Sequence, residues 1–220
     1  GGDLAGPSNL KRLHADGRLD TSFNYTAYPS VAYAQAIVVQ PDQKIIAGGN
    51  GGLTRLEASG AVDPAFQQTP DTMGSVTAIA LQPDGRILVG GDFMSVSATP
   101  QSRIARLNAD GSLDTHFAPA SGLNGRVTAL VLQPDGKVMA GGEFTAANGV
   151  AMPGVARFNP EGTLDPAFQP GTGFHGVRAL ALQPDGKLLI GHQHGVTRLL
   201  PDGSLDSTFG AGPVIDPDVG

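Results

Sequence analysis

Two short segments recur along this chain at nearly constant spacing, and their recurrence restricts its architecture before any other property is considered. The first reads VTAIALQPDGRILVGG from Val76 to Gly91; it returns at Val127 to Gly142, at Val177 to Gly191 and, with drift, from Tyr33 to Gly49. The second reads RLNADGSLDTHF from Arg106 to Phe117 and returns from Arg12, Arg55, Arg157 and Arg198. Pro41, Pro83, Pro134 and Pro184 lie 42, 51 and 50 residues apart. A period of that length is one supersecondary unit that buries its apolar face against the next.

Each half of the unit has the signature of a β-hairpin. Short β-rich runs flank Pro-Asp-Gly in the first half and usually Asp-Gly in the second. A three-residue loop with Gly last is a type I turn closed by a G1 bulge: Pro suits its first position, and Gly the left-handed third. This register sets Arg106 opposite Asp114, and by the same offset Arg12 opposite Asp20, Arg55 opposite Asp63, Arg157 opposite Asp165 and Arg198 opposite Asp206. A pair present in every unit is architectural, because a site needs one place and not five.

Two hairpins per unit make four strands, the content of one propeller blade. The expected fold is all-β, a β-propeller of four-stranded antiparallel blades, five in number with the first incomplete or composite; the alternatives are a piece of a longer propeller, a subunit whose half-blade a neighbour completes, and a four-bladed ring with a spare hairpin. Strands are expected near 76–82, 86–92, 103–108 and 112–117. The inner strand, as in Val127 to Leu132, is nearly all apolar and reads as buried on both faces. Phe23, Phe66, Phe117, Phe168 and Phe209 read as wedges between blades, and the Gly-Gly pairs as points of close backbone approach. The single domain divides into a half-blade (1–30), repeat units (31–75, 76–126, 127–176 and 177–209) and a closing tail (210–220). Residues 213–218 are expected beside Asn9 to His14, unless a neighbouring molecule covers that edge.

Composition excludes several functions. Of 220 residues 32 are Gly and 17 Pro, and only 15% are charged, as suits strands and turns. A net charge of −6 opposes binding to nucleic acid. The absence of Cys removes disulfide and thiolate chemistry. No apolar run approaches the roughly 18 residues of a membrane span, so no membrane insertion is expected. No Gly-x-Ser-x-Gly elbow, phosphate loop or nucleotide fingerprint occurs, and no cofactor is expected.

The Pro-Asp-Gly and Asp-Gly turns share one face and scarcely vary. On the other face the connection between the hairpins ranges from about six residues at 50–54 to fifteen at 92–106 and 143–157. Repeat scaffolds bind through the variable face, so the loops at 94–102 and 145–154 are the expected contacts. On that same face His175, His192 and His194 form a candidate zinc or transition-metal set. Trp is absent and Tyr25, Tyr28 and Tyr33 cluster in one connection, which argues against a sugar-stacking site in every blade.

The combined pattern V-x-A-L-x-L-Q-P-D-G-K … G-G-x-F … R-x-x-x-D-G-x-L-D-x-x-F resembles the delta-60 type bacterial β-propeller repeat, and distantly the NHL repeat, over about residues 1–209. Gln43 in place of the turn Gly, Ser59 in place of the turn Asp and His192 in place of the second Gly depart from it. The resemblance implies an exported or envelope-associated bacterial propeller with no shared enzymatic activity. The expectation is therefore a non-catalytic extracellular or envelope scaffold that engages a protein partner or self-assembles through an incomplete blade edge. The alternatives are a metal-dependent lyase or hydrolase using the three histidines, and a glycan-binding module.

Overall fold

The computed structural model describes residues 10–25, 33–67 and 74–210. Among these there are sixteen strands and no helix. Four antiparallel sheets of three strands follow one another along the chain. The first contains β1 (Ala34–Val39), β2 (Ile45–Gly49) and β3 (Gly52–Leu56). The second contains β4 (Gly74–Leu81), β5 (Ile87–Phe93) and β8 (Ile104–Leu107). The third joins β9 (Val127–Leu132), β10 (Val138–Gly142) and β13 (Val155–Phe158), and the fourth joins β14 (Ala179–Leu182), β15 (Leu188–His192) and β16 (Gly195–Leu199). Two further hairpins, β6 (Ser95–Val96) with β7 (Thr99–Pro100) and β11 (Ala146–Ala147) with β12 (Val150–Ala151), rise from the long connections between hairpins.

The turns follow their sequence. Gln82 N–H donates to the Arg86 carbonyl at 2.9 Å and Gly85 N–H to the Gln82 carbonyl at 3.0 Å, closing the three-residue loop. Gly85 has φ +85°, the left-handed value that glycine adopts without a Cβ penalty. Gln43 holds the same place in the first blade at φ 69°.

The outermost strand is shorter than the sequence pattern implies. In place of a strand over 112–117 there is a single bridge, Leu107 to Leu113, with counterparts at Leu56–Val62, Phe158–Leu164, Leu199–Leu205 and Leu13–Leu19. Pairing stops because Asp114 turns the chain: its Oδ1 accepts the His116 N–H at 3.0 Å, and Phe117 N–H donates to the Asp114 carbonyl. A carboxylate bonding the amide two residues on is an Asx turn, which competes with the ladder. The wedge phenylalanines therefore sit just beyond a turn.

The inner strands also differ from expectation. The wholly buried strands are the middle ones β2 and β10 and the third ones β3, β8 and β13, whereas β1 and β14 alternate exposed with half-buried residues. The inner strand is the last in each sheet, so one of its long edges has no sheet partner. In the second and third blades its bulge joins it to the next blade instead. Thr77, the unpaired residue between Val76 and Ala78, donates its hydroxyl to the Val127 carbonyl of the third blade. Thr128 donates likewise to the Val177 carbonyl at 2.5 Å.

Each Gly-Gly has two separate jobs. A methyl group on Gly48, Gly90 or Gly141 would lie 2.6–2.7 Å from a Val Cγ1 of the following blade. One on Gly49, Gly91 or Gly142 would lie 1.9–2.0 Å from a carbonyl oxygen at the start of its own inner strand. In the fourth blade no bulge interrupts the register from Ala179 to Leu182, and His192 takes the second glycine's place without that clash. The apolar cores lie between blades: Ile46, Leu53 and Phe66 of the first pack with Val76, Ile87 and Leu107 of the second, and the next two junctions repeat the arrangement. The closing tail from residue 211, and residues 1–9 of the half-blade, fall outside the described residues, so the predicted pairing of 213–218 with Asn9 to His14 does too.

Candidate functional site

The variable face is a built surface. Hairpin β11–β12 turns through Asn148 and Gly149, at φ 49° and 77°, the left-handed pair of a type I′ turn. Hairpin β6–β7 turns through Ser97 and Ala98 at φ 48° and 62°, without the Asn-Gly signal. The connection over 118–126 ties them together. Leu123 N–H donates to the Ser102 carbonyl at 3.1 Å, and Arg103 Nη1 to the Leu123 carbonyl at 3.1 Å. On the other side Asn124 Oδ1 accepts the Thr145 and Ala146 N–H groups, and Asn148 Oδ1 accepts the Gly122 N–H at 3.0 Å. Met94 and Val150 stand about half exposed on this ridge. Beside it runs a groove of about 350 Å³ lined by Thr99, Pro100, Gln101, Ser102, Phe117 and Pro119 among others.

The three histidines lie on the fourth blade and its approach, but the structure joins only two. His192 and His194 rings are 6.0 Å apart. His192 Nε2 pairs with the Thr197 hydroxyl at 2.9 Å and His194 Nε2 with the Gln193 amide at 2.9 Å, so each ring's Nε2 is engaged by a neighbouring side chain. Burial, then the neighbouring His194, lower the His192 pKa. His175 is exposed and takes no part. Among the described residues no group of three or more His, Cys, Asp or Glu is placed to hold a metal ion. Tyr33 is exposed beside the first inner strand, while Tyr28 lies outside the described residues.

The repeated arginines do more than pair across a hairpin. Arg55 Nε donates to Asp63 at 2.8 Å, Nη1 reaches the Ala109 carbonyl in the next blade at 2.7 Å, and the guanidinium lies over the Phe66 ring at 4.6 Å. Arg106 repeats this with Asp114, Pro160 and Phe117, and Arg157 with Asp165, Pro201 and Phe168. A second cation joins most of these carboxylates: Lys44 at Asp63, Lys137 at Asp165 and Lys187 at Asp206. Burial pushes the Asp63 pKa upward, but hydrogen bonds from Lys44, the Ala65 N–H and Arg55 outweigh it and hold it at about 2. Asp20 is held at about 2 chiefly by the Ser22 hydroxyl and N–H. The eight-residue offset identified each pair, but no signal in one hairpin pointed to the carbonyl across the junction. These side chains are fastened to their surroundings, and the arrangement is that of a joint.

The sequence profile described as "Domain of unknown function (DUF5122) beta-propeller" matches residues 40–66, 82–117, 133–168 and 183–209, more than half of the chain. No curated protein matches. Among solved structures, the chain is similar to the computationally designed Ika8 protein (16% identity, TM-score 0.59, covering 86% of this chain and 52% of that one). It is similar to the WD40 β-propeller domain of Doa1 (15%, 0.59, 83% and 54%) and to streptogramin B lyase (16%, 0.58, 86% and 57%). The chain thus spans just over half the length of each, and identities this low speak to the fold alone.

Proposed function

The chain belongs to the DUF5122 β-propeller family, and from that premise we propose that it is a non-catalytic binding module whose variable face engages a protein partner. The observation that carries this reading is the pair of hairpins β6–β7 and β11–β12. They occur only on the second and third blades among the described residues, are locked to one connection, and present Met94 and Val150 to solvent. Rigid elements bearing exposed apolar side chains beside a groove form a contact surface with little ordering cost. The joints described above provide the stiffness. Resemblance to delta-60 repeats supports an extracellular or envelope location.

The test compares the wild-type protein with Met94→Asp/Val150→Asp. Both side chains are exposed, so the variant's melting temperature should match wild type. Partners captured by crosslinking from the surface fraction of the source cells should be lost at least tenfold with the variant. Equal capture by both proteins refutes the assignment of the face.

A further inference from the structure

Among the described residues the blade junction is made four times and left open once. In each complete junction an arginine donates from Nη1 to a turn carbonyl of the following unit: Arg12 to Ala58, Arg55 to Ala109, Arg106 to Pro160 and Arg157 to Pro201. The residue after the wedge phenylalanine adds a backbone bond: Asn24 to Ser59, Gln67 to Asp110, Ala118 to Glu161 and Gln169 to Asp202. The turn glycine is then closely covered. A methyl group on Gly60, Gly111, Gly162 or Gly203 would come within 2.6–2.9 Å of the preceding unit.

The fifth set of groups exists, but in two separate places. Arg198 is anchored on Asp206 at 2.9 Å and lies over Phe209 at 4.5 Å like its counterparts, yet it donates to no carbonyl beyond its own blade among the described residues. At the other end, no described donor reaches the Ala15 carbonyl, and a methyl group on Gly17 would meet nothing within 4 Å. The apolar side chains agree. Leu53, Ile104 and Val155, two residues before Arg55, Arg106 and Arg157, are at most 1% exposed, and Leu10 before Arg12 is half-buried, but Val196 in that place is 61% exposed. Leu56, Leu107, Phe158 and Leu199 are fully buried, whereas Leu13 in the equivalent position is 60% exposed. The N-terminal hairpin is itself held on the first blade by Arg12 and Asn24. Among the described residues nothing covers either face.

We propose that they meet between molecules: the fourth blade of one copy receives the N-terminal hairpin of a second copy in a head-to-tail junction. Arg198 Nη1 then donates to the Ala15 carbonyl and the Gly210 N–H to the Asp16 carbonyl. Phe209 covers Gly17, and Val196 and Leu13 leave water. The partner surface is argued from continuity with four junctions that the same residue types already make. Because the two faces are different, the contact is heterologous and each copy carries one of each.

That asymmetry supplies the test. Sedimentation velocity over a concentration series should show the wild-type chain associating, while Val196→Asp and Leu13→Asp each sediment as monomers. Both sites are exposed, so circular dichroism and melting should be unchanged by either substitution. An equimolar mixture should form dimers and stop there, since Val196→Asp keeps its hairpin face and Leu13→Asp keeps its blade face. Arg198→Ala should weaken wild-type association at least tenfold. A wild-type protein that stays monomeric at all concentrations overturns the proposal; if its melting temperature also falls with Leu13→Asp, the junction closes inside one molecule instead. Association of Val196→Asp at wild-type strength, or no gain on mixing, overturns it equally.

Discussion

Truncating Arg106 to alanine should be among the most damaging single changes to a charged residue here. Its side chain is 6% exposed and makes three contacts at once: Nε to Asp114 at 2.8 Å, Nη1 to the Pro160 carbonyl at 2.6 Å, and a cation–π contact with Phe117 at 5.1 Å. Removal leaves Asp114 buried with Arg86 at 3.5 Å as its nearest remaining guanidinium. Breaking a buried pair from one side costs about 3–5 kcal/mol, a range that already includes much of the lost hydrogen bonding. Arg198 offers an internal comparison, since it lacks the carbonyl in the next blade and its side chain is 19% exposed. Arg198→Ala should cost less, about 1–2 kcal/mol, close to one charged hydrogen bond together with a modest cation–π term. Arg106→Lys should recover little, because an ammonium cannot span the carboxylate and the carbonyl as the planar fork does. Urea unfolding at concentrations where the protein is monomeric reads these differences from the midpoints at constant slope. Equal losses for Arg106→Ala and Arg198→Ala would show that the reach into the next blade contributes nothing, and the account of the joint would fail.

Glycine substitutions should separate the junctions in the same way. Gly141→Ala places a methyl group 2.7 Å from Val177 and should cost about 1–3 kcal/mol as overpacking. Gly191→Ala, whose nearest neighbour would be 3.5 Å away, should melt within a few degrees of wild type. For pH, Asp20 and Asp63 titrate at about 2 in the folded protein, below the roughly 3.9 of an unfolded aspartate. Their contribution is complete above pH 4 and is lost as pH falls towards 2, because the unfolded chain takes up protons first. Melting temperature followed by circular dichroism should hold steady from pH 7 to about 5 and fall steeply between 4 and 2; a flat profile to pH 2 would contradict the assignment.

What the amino-acid order determined by itself was most of what is settled within a hairpin, the Asp114 turn that cuts the outer strand short being the exception. Turn types, strand pairing and the Arg/Asp register depend on residues no more than about eight apart, where Pro fixes φ and Gly permits the left-handed third position. The Asn148–Gly149 turn was equally local and its signal was present, though inside a segment read as loop. Tertiary structure decided whatever depends on how one blade is rotated against the next. The carbonyls that receive Arg55 and Arg106 lie 54 residues away, and the glycines at 90 and 141 are required by a valine of the following blade. The half-exposed inner strands follow from their place at the edge of each sheet, which an apolar run cannot report. His175, His192 and His194 share one blade and its approach, but side-chain hydrogen bonds to Thr197 and Gln193 fix where two of the rings point. Short-range hydrogen-bond geometry is written in neighbouring residues, whereas contacts between blades depend on a relative orientation that only the packed cores establish.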